Sequence, residues 1–440
     1  MSDYMFMLES HLNADQASAF SEVRGAAQDE GLSIYLTGGA IRDMFGGFPI
    51  RDLDFTVEGD PAKLVSRLTA KGATVVSSDS LRHKTELLFR RAVTVGIGMS
   101  RTENYPKPAA KPQVTPATIY DDLRGRDFTI NALALSVNRA SKGLLIDPNN
   151  GLSDLERREL RVVTSHTFYD MPVRMLRLLR FETRLGFTRA DRTQSQFENA
   201  KEAGVHKLLS AGALLEEMRA MATEQKPVEL LQALEREGLL QLLSPALTTA
   251  SIPLATLGKL LKARQMMPFG VDLRTDYLGL FLNVLTEKLS TKDRSALYAK
   301  LDPKGLRTAS WNKLDARARK LEKQLKGASL VKPSAIYDIV AKADGESVLY
   351  LLAKSTERLV QDRLKNYLQK YAPAAAEVTD ALVRQSGGGE PGSPKFVRKR
   401  HEMVAARLDA RPKRPKAPPP APAPPVAPVS TGRRASPSIR

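Results

Sequence analysis

The spacing of apolar residues changes character between residues 140 and 152. Before that point the apolar runs are short and bounded by Gly, Pro and polar residues, as strands are. Ser33–Thr37 is such a run, rich in strand formers and ended by Gly38-Gly39. Asp52–Val57 alternates between polar and apolar positions and predicts a second strand, with further strand candidates at Thr74–Ser77, Glu86–Phe89 and Ala92–Ile97. Helices are expected over 12–31, for a turn or two at Ala40–Phe45, and over Pro61–Lys71, where Pro occupies a tolerated first position. Four prolines between Tyr105 and Pro116 predict a loop.

Beyond residue 152 the period is helical almost throughout. Helices are expected at Pro172–Leu185, Arg192–Ala203, Ala211–Ala222 and Val228–Glu237, and then repeatedly up to Arg384. Gly387-Gly388-Gly389 marks a break, and Pro394–Ala410 predicts a last basic helix. The expected class is therefore α+β, a mixed-sheet head followed by an all-α remainder. The expected division is 1–140, 141–250, 251–410, and a basic Pro-rich tail at 411–440 with too few apolar residues to fold.

A chain of 440 residues suggests two to four packed units. Its net charge of +18 favours a polyanionic partner. Much of that excess is terminal: residues 391–440 carry twelve Lys/Arg against two Asp/Glu, a local +10, which leaves +8 for the rest. The absence of cysteine excludes disulfides and thiolate metal sites. The five histidines are scattered without ligand spacing. No segment reads as a signal peptide or membrane span, so a cytoplasmic location and no membrane partner are expected.

The candidate chemistry lies in Gly38-Gly39-Ala40-Ile41-Arg42-Asp43 followed by Asp52-Leu53-Asp54. Residues i and i+2 of a strand share a face, so Asp52 and Asp54 are expected side by side. Adjacent carboxylates call for a cation, and a hard oxygen site suits Mg²⁺, which also binds nucleotide phosphates. A Gly-Gly turn into a helix lets backbone N–H groups approach a phosphate, with Arg42 near enough to pair with its oxygens. Arg174, Arg177 and Arg180 recur every three residues and form a drifting stripe on one side of a helix.

In this arrangement the sequence resembles the class II tRNA nucleotidyltransferases and bacterial poly(A) polymerases of the DNA polymerase beta superfamily. Gly38-Gly39-x-x-Arg42-Asp43 with Asp52-x-Asp54 is similar to their first motif. Arg126-Asp127-Phe128-Thr129-Ile130-Asn131-Ala132 is similar to the second, Asp147-Pro148 with Gly151 and Asp154-Leu155 to the third, and Asp170-Met171-Pro172-Val173-Arg174 to the fourth. The resemblance covers residues 33–187. It implies a nucleotidyltransferase head and transfer of nucleotides from CTP or ATP to an RNA 3′ end, that of tRNA first among candidates. Asp52 and Asp54 would be the catalytic, Mg²⁺-holding pair. Gly38, Gly39 and Arg42 would cradle the triphosphate, and Arg126 and Asp127 would hold the ribose. Asp170 and Arg174 would read the base, with Arg177 and Arg180 steadying it and the phosphates.

Three positions depart from the pattern. Met171 stands where the family has a base-reading Asp, Gly125 where it has the first Arg of the second motif, and Gly96 where a third acid is usual. Addition of CCA or part of it to tRNA, poly(A) synthesis, and RNA binding without catalysis all remain open at this level.

Overall fold

The computed structural model describes residues 4–89, 93–267, 273 and 275–410. The expected tail at 411–440 and the start of the Ala92–Ile97 strand lie outside the described residues. The helix expected over 12–31 is α2, Ala14–Asp29, which Asn13 caps through a reciprocal box with Gln16, and a further helix, α1, Tyr4–His11, precedes it. Strand β1 is Ser33–Thr37, as the apolar run predicts, and Gly38 leads into the short helix α3, Gly39–Phe45. Gly38 has φ 69° and ψ −126°, a conformation that a residue with a Cβ avoids.

Strand β2 runs Leu53–Glu58, helix α4 Ala62–Ala70, then β3 Thr74–Asp79, β4 Lys84–Phe89 and β5 Val93–Met99. The expected loop at 105–116 is partly a hairpin, because Arg101–Asn104 (β6) pairs antiparallel with Gln113–Pro116 (β7). Its prolines stay compatible with pairing because Pro116 ends the strand at an edge. Helix α5, Ile119–Arg124, then strands β8, Ala134–Ser136, and β9, Leu145–Ile146, complete the head. Among the described residues, seven strands form the main sheet in the order β3-β4-β5-β2-β1-β8-β9. Only β2 and β5 run parallel; the other neighbours are antiparallel. Leu53, Phe55 and Val57 are buried in the core, so the alternate residues of β2 face the other way.

The third motif closes the head. Both carboxylate oxygens of Asp147 accept backbone N–H groups, from Gly151 and Leu152 at 2.7 and 3.0 Å, and so cap α6, Gly151–Arg157. Asp154, buried, accepts from the Thr129 hydroxyl at 2.6 Å. Helices α7, Thr167–Asp170, and α8, Val173–Leu185, follow, then α9, Asp191–Glu202, α10, Ala211–Ala222, and α11, Pro227–Arg236. Helix α8 ends at Gly186 in the left-handed conformation. A continuous apolar cluster runs from Met5 to Trp311 and spans sheet and helices alike. A second cluster occupies residues 263–372 and a small third one 375–404, under the helix Pro394–Asp409. No helix among the described residues is long and apolar enough to cross a membrane.

Candidate active site

An open cleft of about 1620 Å³ lies between the head sheet and helices α8 and α10. That exceeds the roughly 300–1,000 Å³ of a single small-ligand pocket, so a nucleotide leaves room for the end of a second substrate. All eleven site residues expected from sequence line it: Gly38, Gly39, Arg42, Asp52, Asp54, Arg126, Asp127, Asp170, Arg174, Arg177 and Arg180. They do not play equal parts in its geometry.

Asp54 is the second residue of β2, and Asp52 immediately precedes the strand. Asp52, Asp54 and Thr56 alternate along the cleft-lining side. Asp54 is paired in the sheet with Thr37 on β1 and Gly96 on β5. Asp52 is exposed to the open cleft, yet the surrounding protein partly desolvates its carboxyl and pushes its pKa up. The charge of Asp54 pushes the same way, while Arg51 and Arg184 oppose. One oxygen of Asp54, Oδ1, lies 3.3 Å from the Lys84 ammonium. Lys84 was not among the residues expected from sequence. No cluster of three or more metal-ligating side chains forms among the described residues. The carboxylate pair is thus a two-ligand site that suits a hard cation arriving with further oxygen donors, as a nucleotide triphosphate provides.

Behind the pair, Arg126 donates to Asp122 Oδ2 at 2.7 Å and to Thr56 Oγ1 at 3.0 Å. Thr56 in turn shares a hydrogen bond of 3.0 Å with Thr37. Arg42 is buried and fully engaged. It donates to Asp43 at 2.7 and 2.9 Å and to Asn131 at 2.7 Å, and it lies over the Phe181 ring at 4.9 Å. Its contribution to the cleft is to hold the turn and Asn131 in place more than to present free donors. Arg184 completes this corner, 2.7 Å from the other oxygen of Asp43.

The arginine stripe of α8 divides into two kinds of residue. Arg177 donates to Asp127 at 2.8 Å and Glu217 at 3.2 Å. Arg180 donates to Glu217 at 2.6 Å and Glu224 at 3.1 Å. Glu217 and Glu224, both buried, come from α10 and just beyond it. Glu224 also accepts from Arg51, next to Asp52, at 3.2 Å. Burial alone would push the Asp127 carboxyl up, but the charges of Arg177 and Arg174 outweigh it and hold the pKa well below the usual carboxylate range. Arg174 differs from both neighbours. No carboxylate ion-pairs with it among the described residues; its longest reaches are 3.4 Å to Thr167 O and 3.5 Å to Gly125 O, and its Nε has no partner. Its guanidinium is the one in the stripe held by carbonyl oxygens and not by carboxylates, and Met171 and Asp170 line the same cleft. Burial pushes the Asp170 pKa up, against the opposing charges of Arg174 and His166.

Residues 34–161 match the Poly A polymerase head domain family. The chain is 30% identical over 343 residues to an A-adding tRNA nucleotidyltransferase of Aquifex aeolicus, a match covering 77% of this chain and 40% of that protein. It is 32% identical over 244 residues to one of Halalkalibacterium halodurans, covering 53% and 56%. The chain belongs to the class II tRNA nucleotidyltransferase family. It spans about half the length of the curated relatives it matches. In three dimensions the family fold extends over the helical part as well. An apo CCA-adding enzyme superposes with a TM-score of 0.54 over 94% of this chain and 96% of that one, at 22% identity. A tRNA nucleotidyltransferase solved with a primer tRNA and an incoming ATP analogue gives 0.50 over 79% and 98%, at 27% identity.

One acid of the head sets a pH response that family membership alone does not supply. Burial pushes the Glu103 carboxyl up, but hydrogen bonds from Tyr105 and Arg82 and the charges of Arg101 and Arg82 outweigh it, and the pKa falls from 4.5 to about 2. The stability this carboxylate contributes is therefore fully present above pH 4.5 and lost as pH falls towards 2. Its full size is on the order of 2–3 kcal/mol. Urea unfolding of the wild type and Glu103→Gln should differ by about that much at pH 7, with the gap closing below pH 4. A gap independent of pH between 7 and 3 would remove this ion-pair cluster from the account.

Proposed function

We propose that this protein transfers nucleotides to the 3′ end of tRNA, and that the nucleotide it adds is the terminal A, from ATP. The observation that carries the reading is that the carboxylate pair Asp52–Asp54 shares one cleft with Arg174, a buried arginine that no carboxylate neutralises by an ion pair among the described residues. The A-adding relatives support the narrower choice of nucleotide. The RNA 3′-hydroxyl attacks the α-phosphorus of the nucleotide in line, and pyrophosphate leaves with the bonding electrons. Asp52 and Asp54 would hold Mg²⁺, which supplies charge neutralisation at the phosphates and makes the hydroxyl a better nucleophile. Gly38 and Gly39 bring backbone close to the triphosphate, with no Cβ in the way. Asp127, fixed by Arg177 and Asn131, and Arg126, fixed by Asp122, hold the ribose in register. Arg174 donates to the base edge, and Asp170 is the nearby acceptor.

The test is incorporation from single nucleotides. With tRNA ending in CC, ATP alone should extend the RNA by one residue, and CTP should add nothing to tRNA lacking CCA. Incorporation of two C residues followed by A would replace this reading with full CCA addition. A long ladder of A on unrelated RNA would replace it with poly(A) synthesis.

Met171 bears on the same choice. A thioether offers the base edge no strong donor or acceptor, whereas a carboxylate would. Sites built on hydrogen bonds discriminate far better than apolar ones. Met171→Asp should therefore shift the ratio of ATP to CTP use by roughly tenfold or more. The ratio of kcat/KM values for the two nucleotides measures it, and an unchanged ratio would take Met171 out of the base pocket.

A further inference from the structure

Lys84 opens β4 and is paired across the sheet with Gly98 on β5, while Gly96, on the same strand, is paired with Asp54 on β2. The two glycines leave a slot that the lysine fills. A Cβ built on Gly98 would lie 3.7 Å from Cγ of Lys84. One built on Gly96 would lie 3.4 Å from its Cε, and closer to Asp54 Oδ1 than the 3.0 Å that real Cβ atoms keep. A side chain at 96 would therefore displace Asp54 or Lys84. With none there, the lysine stem crosses the strand and sets its ammonium 3.3 Å from Asp54 Oδ1. Glu86, two residues along β4, and Arg126 are the other charged groups that act on it. The position where family resemblance leads one to expect a third acid has no side chain, and a cation from the neighbouring strand stands against the pair instead.

We propose that Lys84 is a tethered cation of the active site, which competes with a divalent ion for Asp54 and so sets how tightly the carboxylate pair holds metal. An ammonium at this distance neutralises one of two adjacent carboxylates and occupies an oxygen that a metal ion would otherwise take. It also repels a second positive charge brought into the same space. Lys84 is thus a positioning residue that acts through Asp54. The inference rests on the metal-assisted transfer reading above.

The test is Mn²⁺ binding to the full chain, followed by electron paramagnetic resonance of the free ion, without nucleotide or RNA. Lys84→Met keeps the stem and removes the charge; Lys84→Ala removes both. Each should bind Mn²⁺ roughly tenfold more tightly than the wild type. Lys84→Arg should stay near the wild type, and the gain should vanish in Lys84→Met/Asp54→Asn. Equal Mn²⁺ affinity in the wild type, Lys84→Met and Lys84→Ala would overturn the proposal, as would a gain that survives loss of the Asp54 charge. Because the readout contains neither nucleotide nor RNA, the transfer reading can fail at the RNA while this result stands.

Discussion

Asp54→Ala is expected to slow nucleotide addition by roughly a thousandfold, and Asp52→Ala by a similar factor. In phosphoryl-type transfer the protein does little covalent chemistry, so most of the rate comes from positioning and from charge held at the phosphates. Removing one carboxylate of a two-carboxylate site takes away half of its anionic ligand set. The same substitution should scarcely alter stability. Asp54 and its partner Lys84 are 39% and 41% exposed, and an ion pair so open to solvent contributes about 0–1 kcal/mol. Single-turnover addition of labelled AMP to tRNA ending in CC gives the rate, and thermal unfolding gives the control. A correctly folded Asp54→Ala protein that retained a rate within tenfold of the wild type would show that the reaction is not centred on this pair.

The carboxylate pair was legible in sequence because a strand's alternation is local. Two residues apart on β2 means one face, whatever the rest of the fold does. The strand itself begins one residue later than the pattern predicts, at Leu53, but Asp52 still lines the cleft with Asp54. Lys84 was not legible. It reaches Asp54 through two successive strand pairings, β4 with β5 and β5 with β2, and only the register of both sets it there. The significance of Gly96 likewise depends on that register, since a glycine on a strand has no pattern of its own.

The arginine stripe shows a different limit. Its helix and its three-residue spacing were correct, and α8 carries all three residues towards the cleft. Which of them is tied to carboxylates depends on acids supplied largely from some forty residues further on, and spacing within α8 does not contain that. There was a usable signal in α10. Leu214, Met218 and Met221 mark its buried face, and Glu217 falls on the same face at three-residue spacing from Leu214. A carboxylate on an apolar helix face requires a buried cation, but the sequence does not say which one, and the fold supplies Arg177 and Arg180 of α8.

That carboxylate carries the second large expected effect. Glu217→Ala should destabilise the protein by about 3–5 kcal/mol, because it leaves two guanidinium groups without their shared counter-charge. Glu217 is 2% exposed and lies 3.2 Å from Arg177 and 2.6 Å from Arg180. Burial would push its pKa up, but the charges of Arg180 and Arg177 outweigh it and hold it below the usual carboxylate range, so the group is ionised at neutral pH. The loss should therefore appear at pH 7 as a lower urea midpoint and a thermal midpoint reduced by roughly 5 °C or more. Asp127 can still neutralise Arg177, whereas Arg180 keeps only Glu224. Arg180→Met/Glu217→Leu removes the pair together and fills the space with apolar atoms. It should recover a large part of the stability, since a buried ion pair is costly to break but often replaceable. The Glu217→Ala protein should also lose nucleotide addition before it loses its fold, because Arg177 would no longer be braced from both sides against Asp127. A Glu217→Ala protein as stable as the wild type, with the double variant no better, would mean that α8 and α10 are held together by their apolar contacts alone.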